Sequence, residues 1–226
     1  MQIGETSFIA DPSGALYWEA ERLLVVADLH FEKGSAFAAK QVFLPPYDTA
    51  ATLNRLAQLV SFFEPRRVVA LGDSFHDAKA GERIASEDRA RLRSLQGGRD
   101  WIWIAGNHDG DLPVDLAGEL LPELSIGGVV FRHAPRAGSA LGEIAGHLHP
   151  VAKVAGRAGR VRRRCFVSNG ERCILPAFGA FAGGLNLHDE AFRLLFHAPS
   201  AVADVFAYVM GRDAVFKLHH RRCLPD

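Results

Sequence analysis

Three short apolar runs, each followed at once by polar residues, constrain the fold of this 226-residue chain more than any other feature. The runs are residues 23–27 (LLVVA), 67–71 (RVVAL) and 101–105 (WIWIA). Runs this short, made of aliphatic and aromatic residues, are typical of strands buried on both faces. Helix-like patterns separate them, so we predict right-handed crossovers and a largely parallel sheet.

The helical patterns are followed by a different kind of segment. Apolar residues at steps of three and four predict an amphipathic helix over residues 48–63, with Asp48 available as its N-cap and Pro65 ending the segment. A second helix is predicted up to Gly97 and Gly98. After residue 127 short, Gly-punctuated runs predict a second, more antiparallel sheet and a terminal hairpin. These runs are residues 128–132, 142–145, 151–155, 161–167, 171–175, 205–210 and 214–218.

Two sheets face to face with helices outside give the predicted fold class, a layered α/β-β/α sandwich of two mixed sheets. The length and the 48% hydrophobic content favour one domain over residues 1–226. Basic and acidic residues balance at 26 each, so the whole-chain charge does not favour a nucleic-acid partner. Three cysteines without a CxxC pair predict reduced thiols. The absence of a signal sequence or long apolar run predicts a cytoplasmic protein without a membrane partner.

Side chains that bind metals follow the predicted strands. Asp, Asn and His are donors that divalent Mn, Fe and Zn accept, and the carboxyl ends of parallel strands meet at one edge of a sheet. In Asp28-x-His30 and His147-x-His149, residues i and i+2 share a face if the segment is extended, so each pair is predicted to point to one side. The candidate ligands are Asp28, His30, Asp73, Asn107, His133, His147 and His149.

This donor set predicts a two-metal phosphoesterase. Two ions about 3.5–4 Å apart, bridged by Asp73, would keep a net positive charge, because Asp28 and Asp73 are the only carboxylates in the set. Such a pair lowers the pKa of a bound water from 15.7 toward about 7, which predicts in-line attack of a metal-bridging hydroxide on phosphorus. His108 is the candidate for protonating the leaving group, and Asp109 for orienting its ring.

The order and spacing of these motifs resemble the motif series of calcineurin-like metallophosphoesterases, and the resemblance implies that fold. It implies a first metal held by Asp28, His30, Asp73 and His149, a second held by Asp73, Asn107, His133 and His147, and His108 as the catalytic histidine. One departure is Arg132 before His133, where the family often has glycine. Arg132 is therefore a candidate cation near the site.

Residues 27–34, 71–77 and 175–184 resemble the bacterial PdeM group, the ligase-associated DNA damage response endonucleases. The resemblance implies a phosphodiester substrate in DNA, with a DNA-repair ligase and helicase as partners. Arg162, Arg163 and Arg164 follow the last metal motif and are candidate substrate contacts, since clustered arginines bind phosphate. The alternative for this basic stretch is a solvated edge.

The sequence therefore predicts a phosphodiesterase with two divalent ions, of which Mn²⁺ is favoured while Fe, Zn, Ni and Co also suit the donors. Two alternatives stay open. One is a phosphomonoesterase or nucleotide phosphodiesterase acting on small molecules. The other is a non-enzymatic scaffold that keeps the fold for protein binding. The Gly-rich segment 179–184 is interpreted as a close-packed turn, and His76 and Asp77 as turn residues.

Overall fold

The computed structural model of the chain describes residues 1–42, 44–107, 115–138, 140–156, 159–196 and 204–226. Its first sheet has the strand order β3-β4-β5-β6-β7-β8 in space, preceded by the ribbon β1 (Gln2–Ile3) and β2 (Thr6–Ser7). The strands of this sheet are β3 (Ile9–Ala10), β4 (Leu16–Trp18), β5 (Leu23–Ala27), β6 (Arg67–Leu71), β7 (Asp100–Ile104) and β8 (Glu119–Leu121). Neighbours from β5 to β8 are parallel, as the three apolar runs predict.

The second sheet has the order β16-β15-β13-β14-β11-β10-β9, with β12 paired to β13. It is mixed, because β11 lies parallel to both β10 and β14 while the other neighbours are antiparallel. Its strands are β9 (Glu123–Ile126), β10 (Val129–Arg132), β11 (Glu143–Ala145), β12 (Val151–Gly156), β13 (Gly159–Ser168), β14 (Arg172–Ile174), β15 (Phe206–Met210) and β16 (Val215–His219).

Helices cover the outer faces of the two sheets. Leu56 of α2 and Leu92 of α4 pack with Val68 on the first sheet, and Phe192 and Phe196 of α5 pack on the second. The helices are α1 (Lys33–Ala39), α2 (Asp48–Phe63), α3 (Ala80–Arg83), α4 (Ser86–Gln96), α5 (Glu190–Phe196) and the 3-10 turn His220–Arg222. None of the described helices has the length and apolar character needed to cross a bilayer.

A hydrophobic core lies between the sheets. Val25 and Val69 of the first sheet and Phe131, Ile144 and Phe166 of the second belong to one buried cluster. This arrangement confirms the predicted fold class, two mixed sheets face to face with helices outside. In this arrangement the carboxyl ends of β5, β6, β7, β10 and β11 lie at one edge, where side chains from both sheets can meet in a site.

Two local predictions are wrong in detail. The predicted second helix is two helices, α3 and α4, and Ile84 lies between them as the extended residue that ends α3. Asp48 does not cap α2: Tyr47 is the N-cap, and the Asp48 carboxylate instead accepts a hydrogen bond of 3.1 Å from the Gly34 backbone N–H. The Asp48 carboxylate oxygens that could have capped the helix are thus used in a tertiary contact with Gly34.

Candidate metal centre

The edge where these strands end carries two groups of side chains that could each hold a metal ion. One consists of Asp28, His30 and His149, and the other of Asp73, His133 and His147; within each group the ligand atoms lie within 4.8 Å of one another. Each group takes ligands from both sheets, because Asp28, His30 and Asp73 follow β5 and β6 whereas the other three histidines follow β10 and β11. Six of the seven expected ligands thus meet here.

The seventh expected ligand, Asn107, lies beside the second group. Its Oδ1 is 2.8 Å from His133 Nε2. The other ring nitrogen of His133, Nδ1, lies 3.0 Å from the Leu71 carbonyl oxygen, so it is the protonated nitrogen that donates there and Nε2 keeps its lone pair. His133 Nε2 also lies 3.5 Å from Asp73 Oδ1 and 3.1 Å from His147 Nδ1. Lone pairs therefore converge, and a cation between them would satisfy all of them.

The first group shows the same convergence. His30 Nε2 lies 3.4 Å from His149 Nε2, which is 3.2 Å from Asp28 Oδ1. Two nitrogens bound to one metal at about 2.0–2.1 Å lie about 2.8–3.4 Å apart in octahedral or tetrahedral geometry. The two facing imidazole pairs, at 3.4 Å and 3.1 Å, fit that separation. The residues present thus suit a pair of divalent ions.

Burial tunes the groups toward metal binding. Asp28 is completely buried, and its carboxylate accepts the His147 backbone N–H at 3.0 Å. Burial, with repulsion from His133, lowers the pKa of His147, which favours the neutral ring. A neutral imidazole has the lone pair that a metal ligand needs.

The backbone at the ligands is left-handed. The φ angles are 53° at Asp28, 46° at His30, 45° at Asp73, 70° at His147 and 46° at His149. Such conformations cost non-glycine residues about 1–3 kcal/mol each and cluster at functional sites. The prediction that Asp-x-His and His-x-His lie on extended segments is therefore wrong. With positive φ, His147 belongs to the second group and His149 to the first, so the two side chains do not point to the same side.

Glycines of the site allow this close approach. A Cβ at Gly72, itself at φ 67°, would collide with the His133 ring, and one at Gly146 with the Asp28 carboxylate. In the segment interpreted as a close-packed turn, a Cβ at Gly179 would collide with the Leu29 carbonyl and one at Gly184 with that of His149. The turn thus packs directly on the backbone that carries the ligands.

One of the residues that hold this turn, Arg55, went unnoticed in the sequence. Phe178 N–H donates to Ala27 O at 2.8 Å, and Gly179 N–H donates to Asp28 O at 3.1 Å. Arg55 donates to the Phe178 carbonyl, and Arg164 donates to Ala177 O at 2.7 Å. Arg55 carries no sequence signal, because its position within a helix resembles that of an ordinary half-exposed arginine.

The other candidates are placed as follows. His108 and Asp109 lie outside the described residues. Arg132 is buried and its guanidinium pairs with Glu123 at 2.8 Å and Glu143 at 3.5 Å, so it brings no free cation to the site, contrary to expectation. Its neutralised charge points to a structural role.

The basic stretch forms the hairpin of β12 and β13, where Lys153 faces Arg162. Arg162 donates to Gly184 O at 3.3 Å and pairs with Asp226 at 3.5 Å, Arg163 is exposed, and Arg164 holds the turn. The hairpin therefore adjoins the turn that packs on the metal ligands.

His76 packs beside the first group. Its N–H donates to Phe31 O at 2.9 Å, and its ring centroid is 5.9 Å from that of His30. Asp77 accepts a hydrogen bond from the Lys79 backbone N–H and two from Nη2 of Arg83, which fits the expected turn role.

Comparison with known proteins agrees with this geometry. The family model described as calcineurin-like phosphoesterase matches residues 21–157, more than half of the chain. The crystal structure of a nuclease MPE from Pseudomonas putida is similar, with 27% identity and a TM-score of 0.71 over 96% of this chain and 98% of that one. Yfce, a phosphoesterase from E. coli, matches at 14% identity and a TM-score of 0.43, over 87% of this chain and 98% of that one. No curated protein matches the chain significantly.

Proposed function

Because the chain belongs to the calcineurin-like phosphoesterase family, and is a metal-dependent phosphoesterase, we propose that it hydrolyses phosphodiester bonds and that its substrate is DNA. The observation that carries the proposal is the pair of Asp/His groups at the shared edge of the two sheets. Similarity along almost the full length to a protein described as a nuclease supports a nucleic-acid diester as substrate.

The proposed division of ligands follows the two groups. Asp28, His30 and His149 would hold one ion, and Asp73, Asn107, His133 and His147 would hold the other, with Asp73 as the proposed shared ligand. The ions, proposed to be Mn²⁺, would supply positive charge to the phosphate oxygens and would make a water acidic enough to act as a nucleophile at neutral pH.

The chain positions these ligands through its backbone. Leu71 O accepts a hydrogen bond from His133 Nδ1 and so sets the tautomer of this ring. The Asp28 carboxylate accepts the backbone N–H of His147 and so holds the backbone at that residue. Ligands placed in this way need little rearrangement when a phosphate oxygen binds, and such preorganisation is a main source of electrostatic stabilisation in enzymes.

The test compares bis-p-nitrophenyl phosphate with p-nitrophenyl phosphate, using protein loaded with Mn²⁺ and analysed for metal content. We expect about two ions per chain and a kcat/KM for the diester at least about tenfold above that for the monoester. Cleavage of a labelled DNA oligonucleotide under the same conditions tests the natural substrate. Faster monoester hydrolysis would establish the phosphomonoesterase alternative, and absence of both metal and hydrolysis would establish the scaffold.

His108 is proposed to protonate the leaving group, with Asp109 orienting its ring. We expect His108→Ala to keep both metals and lose about 10²–10⁴-fold in kcat, the usual contribution of a general acid. Metal analysis beside the rate separates this role from metal binding. An unchanged rate would remove His108 from the mechanism.

A further inference from the structure

A cavity of about 260 Å³ outside the metal centre is lined, among the described residues, by three arginines and by no carboxylate. Its lining residues are Pro12, Arg163, Arg164, Met210, Gly211 and Arg212. Cavities with this composition favour anions, because a guanidinium offers several N–H donors in a planar fork that matches phosphate oxygens.

The positive charge around this cavity is not neutralised by the protein. Among the described residues, no carboxylate lies within 4.0 Å of the guanidinium of Arg163, Arg164 or Arg212. Asp11 and Asp213 are near these arginines along the chain but form no ion pair with them. The Asp11 carboxylate accepts the Ser13 N–H instead.

Arg164 adds a partly buried cation. Burial lowers its pKa, and it uses one N–H on Ala177 O, which leaves other donors of the fork available.

The topology places the cavity on the same edge as the metal groups. β14 is parallel to β11, and β13 is antiparallel to β14, so the start of β13 extends toward the end of β11 that carries His147 and His149. β15 is antiparallel to β13, so its end at Met210 points the same way.

The strand order also gives the distance. β13 and β15 lie two and three strands from β11. At about 4.8 Å per strand, the cavity is displaced across the sheet by about 10–14 Å from the segment that carries His147 and His149.

We propose that this cavity binds one phosphate of a nucleic-acid strand whose other phosphate is at the metal centre. The inference rests on the proposed function, since it assigns a binding site to the same polymeric substrate. A separation of this size corresponds to a few nucleotides of the strand. The cavity would thus select a polymer over a small diester.

The test uses the variant Arg212→Ala. The Arg212 side chain is exposed, so the variant should fold, and its thermal midpoint checks this. Arg91→Ala on α4, half exposed on the outer face of the first sheet, is the charge-matched control. Binding of labelled single-stranded oligonucleotides of two to twelve nucleotides is measured by anisotropy, beside turnover of bis-p-nitrophenyl phosphate.

We expect Arg212→Ala to bind oligonucleotides of six or more nucleotides about tenfold more weakly while binding dinucleotides equally well. The slope of log K against log salt should become shallower by about 0.7, because the variant neutralises one phosphate fewer. Hydrolysis of bis-p-nitrophenyl phosphate should stay within about twofold, because this molecule is too short to reach the cavity.

Unchanged binding of long oligonucleotides would overturn the proposal, as would an equal weakening in Arg91→Ala or a weakening independent of length. These readouts are separate from the proposed function. If metal-loaded wild-type protein hydrolysed no diester, the proposed function would fail, while the length dependence of binding would still decide whether the cavity holds a phosphate.

Discussion

Two buried polar clusters lie at opposite ends of β11 and neutralise charge in different ways. At its start, Glu143 pairs with Arg172 at 3.0 Å and with Arg132 at 3.5 Å, and all three side chains are buried. Arg172 directs its remaining donors to three backbone carbonyls, those of Leu195, Arg136 and Gly138. This cluster, the ion-pair cluster, contains its own countercharges.

Beyond the end of β11, the metal groups contain carboxylates and imidazoles. No arginine or lysine of the described chain pairs with Asp28, whose carboxylate oxygen Oδ1 lies 3.7 Å from the His133 ring and 3.2 Å from the His149 ring. The difference teaches how to distinguish structure from function in a buried polar cluster. A cluster with balanced side-chain charges stabilises the fold, and a cluster of converging lone pairs needs an external cation.

The largest expected effect is a loss of activity, which distinguishes the metal groups from the ion-pair cluster. Asp73→Asn should lose both metals and at least about 10⁴-fold in kcat/KM, because without the ions water keeps a pKa near 15.7. Without metal, the free energy of unfolding of the variant should lie within about 1 kcal/mol of that of the wild type. The amide keeps the volume of the side chain and one of its hydrogen-bonding oxygens. Elemental analysis, kinetics and urea unfolding measure these quantities. Full metal content with full rate would refute the bridging role.

The next effect is on stability. Glu143→Gln should cost about 3–5 kcal/mol in free energy of unfolding, because it leaves the buried Arg172 without its carboxylate partner, whereas Arg132 keeps Glu123. The rate per folded molecule should be unchanged. The control is Glu190→Gln, which breaks an exposed pair with Arg193 at 2.7 Å and should cost less than about 1 kcal/mol. A cost for Glu143→Gln as small as that of the control would erase the contrast between the clusters.

The smallest effect tests the turn that packs on the ligands. Gly179→Ala should weaken metal binding about 10–100-fold, the range seen when support around a metal ligand is disturbed, because its Cβ would push the Leu29 carbonyl and the adjacent Asp28. Gly183→Ala in the same turn is the matched control, since a Cβ there meets nothing within 4 Å. Equal metal affinity in the two variants would show that the turn does not position Asp28.

Sequence reasoning worked best where local pattern and burial agree. The strands β5 and β6 and the helix α2 were predicted at their observed bounds, since continuous aliphatic runs and a three-to-four spacing are strong signals. The short helix α5 was missed. It has seven residues, of which Phe192 and Phe196 are buried, too few to set a period.

At the site, the convergence of the candidate ligands on one edge could be predicted from chain order, but their backbone geometry could not. Left-handed φ at Asp28 and His149 is imposed by tertiary packing, such as the approach of Gly179 and Gly184, which no local pattern encodes. Arg132 was misread for the same reason. Its neutralisation by Glu123 on β9 and Glu143 on β11 depends on which strands become neighbours of β10.

Both metal groups draw ligands from both sheets, so each bound cation is a cross-link between the two halves of the molecule. A site filled at a hundred times its dissociation constant adds about 2.7 kcal/mol to the free energy of unfolding. Scarcity of the ion would then shorten the lifetime of the protein against proteolysis as well as stop its turnover. The abundance of this chain would become a readout of divalent-metal supply.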